Sequence, residues 1–129
     1  TMSCQPTRMR TKRAMWLMAS AASGRRRAEA AGYGAVVLTV DLCLAKKRVT
    51  GTLVWASKRS GTNTRTIAGT QSGEMFTLHD VALAGNPNPG WRFCKIDRYF
   101  LTRSGDTLSG TYHSSECRDE AMVRLERVR

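Results

Sequence analysis

Two cysteines flank a predicted β-hairpin near the carboxyl end of the chain, and their spacing constrains the fold more than any other feature. Two runs rich in β-branched and aromatic residues, 91–102 and 107–114, flank a Ser-Gly-Asp turn at 104–106, which is the usual signature of a hairpin. If the turn is centred on its glycine, Cys94 lies opposite the residue just before Cys117, at disulfide distance once a one-residue bulge is allowed. The sequence therefore predicts a Cys94–Cys117 disulfide and, with it, an oxidising extracytoplasmic compartment.

The other two cysteines carry a weaker signal. Cys4 falls in a predicted disordered tail and Cys43 is predicted to be a lone thiol, although the sequence does not decide whether the two pair. No two of the four cysteines have the short spacing of a zinc site. The alternative to the disulfide prediction is a cytosolic barrel in which Cys94 and Cys117 are reduced, half-buried thiols.

Positive charge is concentrated at the amino-terminal end. The chain has 129 residues, enough for one domain, and 21 basic residues stand against 10 acidic ones. The first 30 residues hold one acidic residue, Glu29, and seven basic ones: Arg8, Arg10, Lys12, Arg13, Arg25, Arg26 and Arg27. This distribution predicts a basic arm, residues 1–32, attached to a mildly basic domain, residues 33–129.

The arm admits several interpretations. From Met9 onward, a basic stretch is followed by a short apolar stretch and small residues, which is typical of an export signal, although three arginines just downstream disfavour translocation. Met15, Met18 and Ala22 have the spacing of one face of an amphipathic helix. An organelle transit peptide and a vector-derived or poorly ordered arm remain as alternatives. The apolar stretch is too short for a transmembrane segment.

The rest of the chain alternates between polar and apolar residues. In the run 35–44, for example, Val36, Leu38 and Val40 share one face, as in a half-buried strand. About seven such runs follow one another at short intervals without a helix-length pattern between them. The prediction is an all-β fold in which an antiparallel meander of about seven to eight strands closes into a small barrel, with a basic N-terminal arm or short helix; a sandwich is the alternative.

Glycine-threonine and glycine-tyrosine elements recur in the predicted strands, in VTGTLVW, IAGT and LSGTY. In this respect residues 33–129 resemble calycin-type meander barrels of the avidin and lipocalin groups. The tail from Trp91 also looks like small, uncharacterised exported bacterial domains. The resemblance implies a closed barrel. No ligand site is transferred, because the lipocalin Gly-x-Trp element is missing from the first strand and the polar biotin-binding set of avidins has no counterpart.

Aromatic residues are the candidates for ligand binding. Small barrels that hold one ligand line their mouths with such side chains, and several aromatic residues lie on predicted strands or in the loop before the hairpin: Trp55, Trp91, Phe93, Tyr99 and Tyr112. Packing of these rings in the core is the alternative, since a barrel of this size leaves little interior space. Trp91 could instead anchor a partner protein at the rim of the barrel.

Signatures of catalysis are missing from the sequence. His79 and His113 have no neighbouring ligand at metal-site spacing, and there is no nucleophile elbow or phosphate-binding glycine loop. Three acidic residues near turns are predicted to be solvated: Asp97, Asp106 and Glu116. We therefore predict a protein that is not an enzyme and has no metal or cofactor.

These observations favour an exported or periplasmic β-barrel that binds a small molecule or a partner protein, for example as an inhibitor. The alternative is an intracellular protein associated with nucleic acid, in which the basic residues of the arm bind phosphates. Salt dependence separates the two, because contacts with several phosphates weaken steeply as ionic strength rises.

Overall fold

The computed structural model describes residues 4–11, 15–16, 18–19 and 35–129, and every regular element in them is a β-strand. The strands are β1 Thr7–Thr11, β2 Met15–Trp16, β3 Met18–Ala19, β4 Ala35–Ala45, β5 Arg48–Ser57, β6 Gly61–Ser72, β7 Met75–Ala84, β8 Asp97–Ser104, β9 Thr107–Ser114 and β10 Asp119–Arg127. In this part of the chain no helix has the length and apolar character needed to cross a membrane.

Strands β4 to β10 form a continuous antiparallel meander, in which each strand pairs with the next along the chain. The sheet closes because β1 pairs with both of its outer strands, so that Met9 lies opposite Val40 of β4 on one side and Arg127 of β10 on the other. Eight strands therefore make up the wall of a closed barrel, and the predicted fold class is confirmed. Closure also removes the free sheet edges that invite aggregation.

Strand β1 lies inside the segment that the sequence assigned to a basic arm. Met9 and Thr11 are buried, whereas Arg8 and Arg10 face solvent. Two of the basic residues that suggested an arm are therefore the outward-facing residues of a barrel strand. Beyond it, β2 pairs with β4 and β3 pairs with β10. Residues 7–11, 15–16 and 18–19 are thus extended, and the amphipathic helix, which was one interpretation of this segment, is absent from them.

The predicted Cys94–Cys117 disulfide is present, with the two Cα atoms 5.9 Å apart. Its setting differs from the prediction, because β8 begins at Asp97 and not at Trp91. Cys94 lies in the loop 85–96, which contains two prolines that cannot join a ladder, and Cys117 lies in the turn 115–118. The disulfide therefore joins two loops at one end of the barrel.

A second disulfide links Cys4 to Cys43, with the Cα atoms 5.8 Å apart. The prediction that Cys43 is a lone thiol and that Cys4 lies in a disordered tail was wrong. The pairing follows from β1: Thr7 lies opposite Leu42, so the chain just before β1 runs alongside the end of β4. The disulfide could not be predicted because β1, the strand that places Cys4 next to Cys43, was not predicted.

The glycine motifs mark places where neighbouring strands approach closely. A Cβ atom on Gly69 would lie 1.9 Å from the carbonyl oxygen of Thr77, and one on Gly110 would lie 1.9 Å from that of Phe100. Any side chain at these positions would collide with the backbone of the adjacent strand, so the tight coiling of the barrel requires glycine there.

The barrel interior is divided into two zones. The end formed by the tight turns 45–48, 72–75 and 104–107, here called the turn end, and the middle of the barrel are filled with apolar side chains. The opposite end, here called the loop end, is formed by the connections 58–60, 85–96 and 115–118 and contains buried polar and charged side chains.

Candidate functional site

A pocket of about 260 Å³ opens at the turn end of the barrel. Its floor is apolar and consists of buried side chains from four different strands: Met9, Leu42, Phe76 and Leu108. Its rim is formed by residues 4–7, the ends of β4 and β10 and the β8–β9 hairpin, and it is mostly polar, with Leu44 as an exposed apolar residue. The rim residues are Cys4, Gln5, Thr7, Leu44, Arg103, Gly105, Asp106, Thr107 and Arg127. The pocket is thus a mouth of the barrel that leads directly to the core.

The rim carries more positive than negative charge. Asp106 accepts a hydrogen bond from Arg129 and lies 3.9 Å from the Arg127 guanidinium. The hydrogen bond from Arg129 is the main reason why the pKa of Asp106 is lower than usual. On the same rim, Arg103 Nε donates a hydrogen bond to the carbonyl oxygen of Gly105 at 3.4 Å. Three arginines therefore lie around a single carboxylate and favour its ionised form.

At the loop end, one buried arginine contacts two buried aspartates. Arg65 is only 2% exposed; its Nη1 lies 2.5 Å from Asp80 Oδ2 and also contacts Asp97 Oδ2. Its Nε donates to Asn63 Oδ1 at 2.8 Å, and the Tyr112 hydroxyl donates to Asp97 Oδ2 at 3.0 Å. We call these five residues the Arg65 cluster.

The charges of the Arg65 cluster do not balance, because two carboxylates share one guanidinium. Burial raises the pKa of Asp97 to about 6, although Arg65 opposes this shift. Burial lowers the pKa of Arg65, but the negative charges of Asp97 and Asp80 outweigh it, and the net change is upward. Two carboxylate oxygens, Asp80 Oδ1 and Asp97 Oδ1, are buried without a hydrogen-bond partner. Within the Arg65 cluster, burial therefore favours the protonated form of Asp97.

The predicted ligand-binding aromatics lie mostly around this cluster. Trp55, Tyr99 and Tyr112 are buried; the ring of Tyr112 lies 5.4 Å from that of Trp55 and 5.3 Å from that of Tyr99, and the Arg65 guanidinium lies 5.4 Å from the Trp55 ring. Trp91 and Phe93 are half-buried in the loop 85–96. The space left beside Trp55, Phe93 and Tyr112 measures about 10 Å³, roughly the room for one water molecule. The structure thus brings three of the five aromatics together in the core, and a ligand role for the set remains a prediction.

Asp97 and Arg65 show where the sequence was misleading. Asp97 was predicted to be a solvated turn residue, but it is completely buried, whereas Asp106 and Glu116 are exposed as expected. Proximity to a turn was the wrong guide, because Asp97 is the first residue of β8 and its side chain contacts Arg65 inside the barrel. Arg65 was not singled out, yet it is in phase with buried Ile67 on β6, and this alternation was the signal available.

The candidate metal ligands and the basic residues of the arm do not form a site in the described part of the chain. His113 Nδ1 lies 3.7 Å from a Glu120 oxygen on the surface, and within the described part of the chain no three potential ligands are grouped to hold a metal. Of the basic residues proposed to bind nucleic acid, Arg8 forms two hydrogen bonds with Asp41, and Arg10 contacts Thr39. The others lie outside the described residues: Lys12, Arg13, Arg25, Arg26 and Arg27.

Comparison of the chain with protein-family models, with curated proteins and with solved structures finds no match.

Proposed function

We propose that this protein is an exported, non-catalytic β-barrel that binds a small ligand in the turn-end pocket. The observation that carries the proposal is the pocket itself, whose apolar floor is continuous with the core and whose mouth opens to solvent. Concave sites with an apolar lining and a few polar groups are the usual form of small-molecule sites. The meander topology is also consistent with the calycin-type resemblance, which belongs to the same proposal.

The turn end supports this function better than the loop end. At the loop end the aromatic side chains pack on one another and on Arg65, and the space beside Trp55, Phe93 and Tyr112 fits one water molecule. The nucleic-acid alternative has less support, because Arg8 is engaged by Asp41 in the barrel wall and is not available as part of a free arm.

The two disulfides support export to a periplasmic or secreted location, because structural disulfides persist in oxidising compartments. Cleavage after residue 22, as in the export-signal interpretation, would remove both β1 and Cys4, and with them the strand that closes the barrel. The proposal therefore keeps this segment in the mature protein.

Titration with decanol tests the ligand site. In a ¹⁵N-labelled oxidised sample, we expect chemical-shift changes confined to amides near the pocket, at residues 42–44 and 104–108. Leu44→Asp should weaken decanol binding about tenfold, because a carboxylate in the apolar lining resists desolvation. Val81→Asp adds the same charge at another exposed apolar position outside the pocket and should leave binding unchanged. The absence of saturable shifts at these amides would contradict the proposal.

A non-reducing peptide map tests the location. Protein recovered from the native host should yield the peptide pairs Cys4–Cys43 and Cys94–Cys117 and no free thiol, with thiols blocked at lysis to prevent later oxidation. The Cys4–Cys43 pair also reports that the β1 segment is retained. Four free thiols in the native protein would overturn the extracytoplasmic assignment, and the same protein from a reducing cytosol serves as the control.

A further inference from the structure

We infer that the turn-end pocket selects an amphipathic anion, a short alkyl chain that ends in a carboxylate or a chemically similar head group. This inference rests on the proposed function and specifies the ligand class of the same site. It follows from the combination of an apolar floor with a rim at which cations outnumber acids.

The rim has donors to spare for an anionic head group. Among the described residues that line the pocket, Asp106 is the one carboxylate, and it already accepts a hydrogen bond from Arg129. Arg127 is held at 3.9 Å from Asp106, longer than a hydrogen bond. The Arg103 contact with Gly105 uses one N–H of the five that a guanidinium carries. Arg103 and Arg127 can therefore turn further N–H groups to a ligand oxygen.

The apolar floor of the pocket indicates that the rest of the ligand is apolar. Phe76, Leu42 and Leu108 are buried to 3%, 6% and 4% exposure, and they offer no hydrogen-bonding side-chain atom to a polar ligand. A bare inorganic anion would bind at the rim and leave this apolar surface in contact with water, which is unfavourable. An alkyl chain covers it and gains the corresponding burial energy.

The size of the pocket limits the length of the chain. A volume of about 260 Å³ equals that of roughly nine water molecules in the liquid, so the site accommodates on the order of ten non-hydrogen atoms. Decanoate has the right size and charge for a probe. Decanol has the same chain with an uncharged head group, so the difference between the two measures the contribution of the anion alone.

The experiment compares decanoate with decanol by calorimetry at pH 7.5 and low salt, below the aggregation limit of either ligand. We expect decanoate to bind about tenfold more tightly, as is typical of a charge-assisted hydrogen bond to arginine, and to lose most of this advantage in 0.5 M NaCl. Arg103→Gln and Arg127→Gln should each reduce the preference, while decanol binding stays the same. Arg98→Gln removes an equal charge from the outer face of β8 and should change neither.

Each other outcome has a definite meaning. Equal affinity for decanoate and decanol overturns the anion inference and leaves the small-ligand proposal intact. Binding of neither ligand removes both. A preference for decanoate that survives both arginine substitutions, or saturable binding of inorganic phosphate at the same amides with equal affinity, also overturns the inference, because the head group would then not be held as described.

Discussion

Replacing Arg65 with methionine should lower the free energy of unfolding by about 3 to 5 kcal/mol, the usual effect of removing one partner from a buried ion pair. Methionine fills a similar volume, so the loss is mainly electrostatic: Asp80 and Asp97 remain buried without their shared cation. Urea unfolding followed by tryptophan fluorescence measures the change, since Trp55 lies against the guanidinium. The folded proportion should remain sufficient to measure, because domains of this kind are stable by about 5 to 15 kcal/mol.

Two comparisons separate charge from packing. Arg98→Met removes an arginine from the exposed face of β8 and should change stability by less than about 0.5 kcal/mol. A triple variant, with Arg65→Met, Asp80→Asn and Asp97→Asn, removes all charges of the cluster and should recover more than half of the loss. A loss below about 1 kcal/mol for Arg65→Met would show that the aspartates do not depend on Arg65.

The meander could be predicted from the sequence because each of its strands and turns is specified by residues close together in the chain. Alternation along β4 places Val36, Leu38 and Val40 on one face, and these side chains are all buried. The hairpin turn at Gly105 was identified by its composition, and glycine has a positive φ of 60° there. Where neighbours in sequence are also neighbours in the sheet, pattern and turn chemistry are enough to specify pairing.

Closure of the barrel could not be predicted in the same way. Strand β1 has five residues with two buried side chains, Met9 and Thr11, and its identity depends on pairing with strands about 30 and 115 residues away in the chain. The exposed arginines of β1 made this part of the sequence strongly basic, and for that reason it was predicted to be an arm. The Cys4–Cys43 disulfide was missed for the same reason, since it depends on this pairing.

The candidate site depends on closure as well. The turn-end pocket combines a residue from β1, Met9, with residues from β4, β7, β9 and the end of β10, and no sequence pattern brings these segments together. Trp55, Tyr99 and Tyr112 were correctly placed on strands and pack inside the barrel, which was the alternative to lining its mouth. Phe93 was placed on a strand but lies in the loop 85–96. Alternation predicts which side of the wall a residue faces. It does not predict how much space remains at either end.

Asp97 should make the barrel more stable at mildly acidic pH than at neutral pH. The folded-state pKa of about 6 exceeds the unfolded value of 3.8, so between these values the folded protein binds more protons than the unfolded chain. Stability therefore falls as pH rises from about 4 to 6 and is constant above that range. We expect the free energy of unfolding to be about 2 kcal/mol higher at pH 4.5 than at pH 7.

The groups around Asp97 and on the surface do not reverse this sign. Around Asp97, burial raises the pKa values of Tyr99 and Tyr112 well above their usual range, and that of Arg65 is also raised, so none of the three titrates between pH 4 and 7. Asp41 and Asp106 have lowered pKa values, and the stability that they contribute is lost only below their unfolded values. None of these groups therefore opposes the contribution of Asp97 between pH 4.5 and 7, and the Asp97→Asn variant isolates that contribution.

Urea unfolding of wild type, Asp97→Asn and Asp106→Asn at both pH values provides the test. Asparagine at position 97 is neutral throughout, so the difference between pH 4.5 and pH 7 should disappear in this variant. Asp106→Asn removes an exposed carboxylate and should keep the difference. A wild-type barrel that is equally stable or less stable at pH 4.5 would mean that Arg65 holds Asp97 ionised despite its burial, because the attraction to the guanidinium would then exceed the penalty of desolvation.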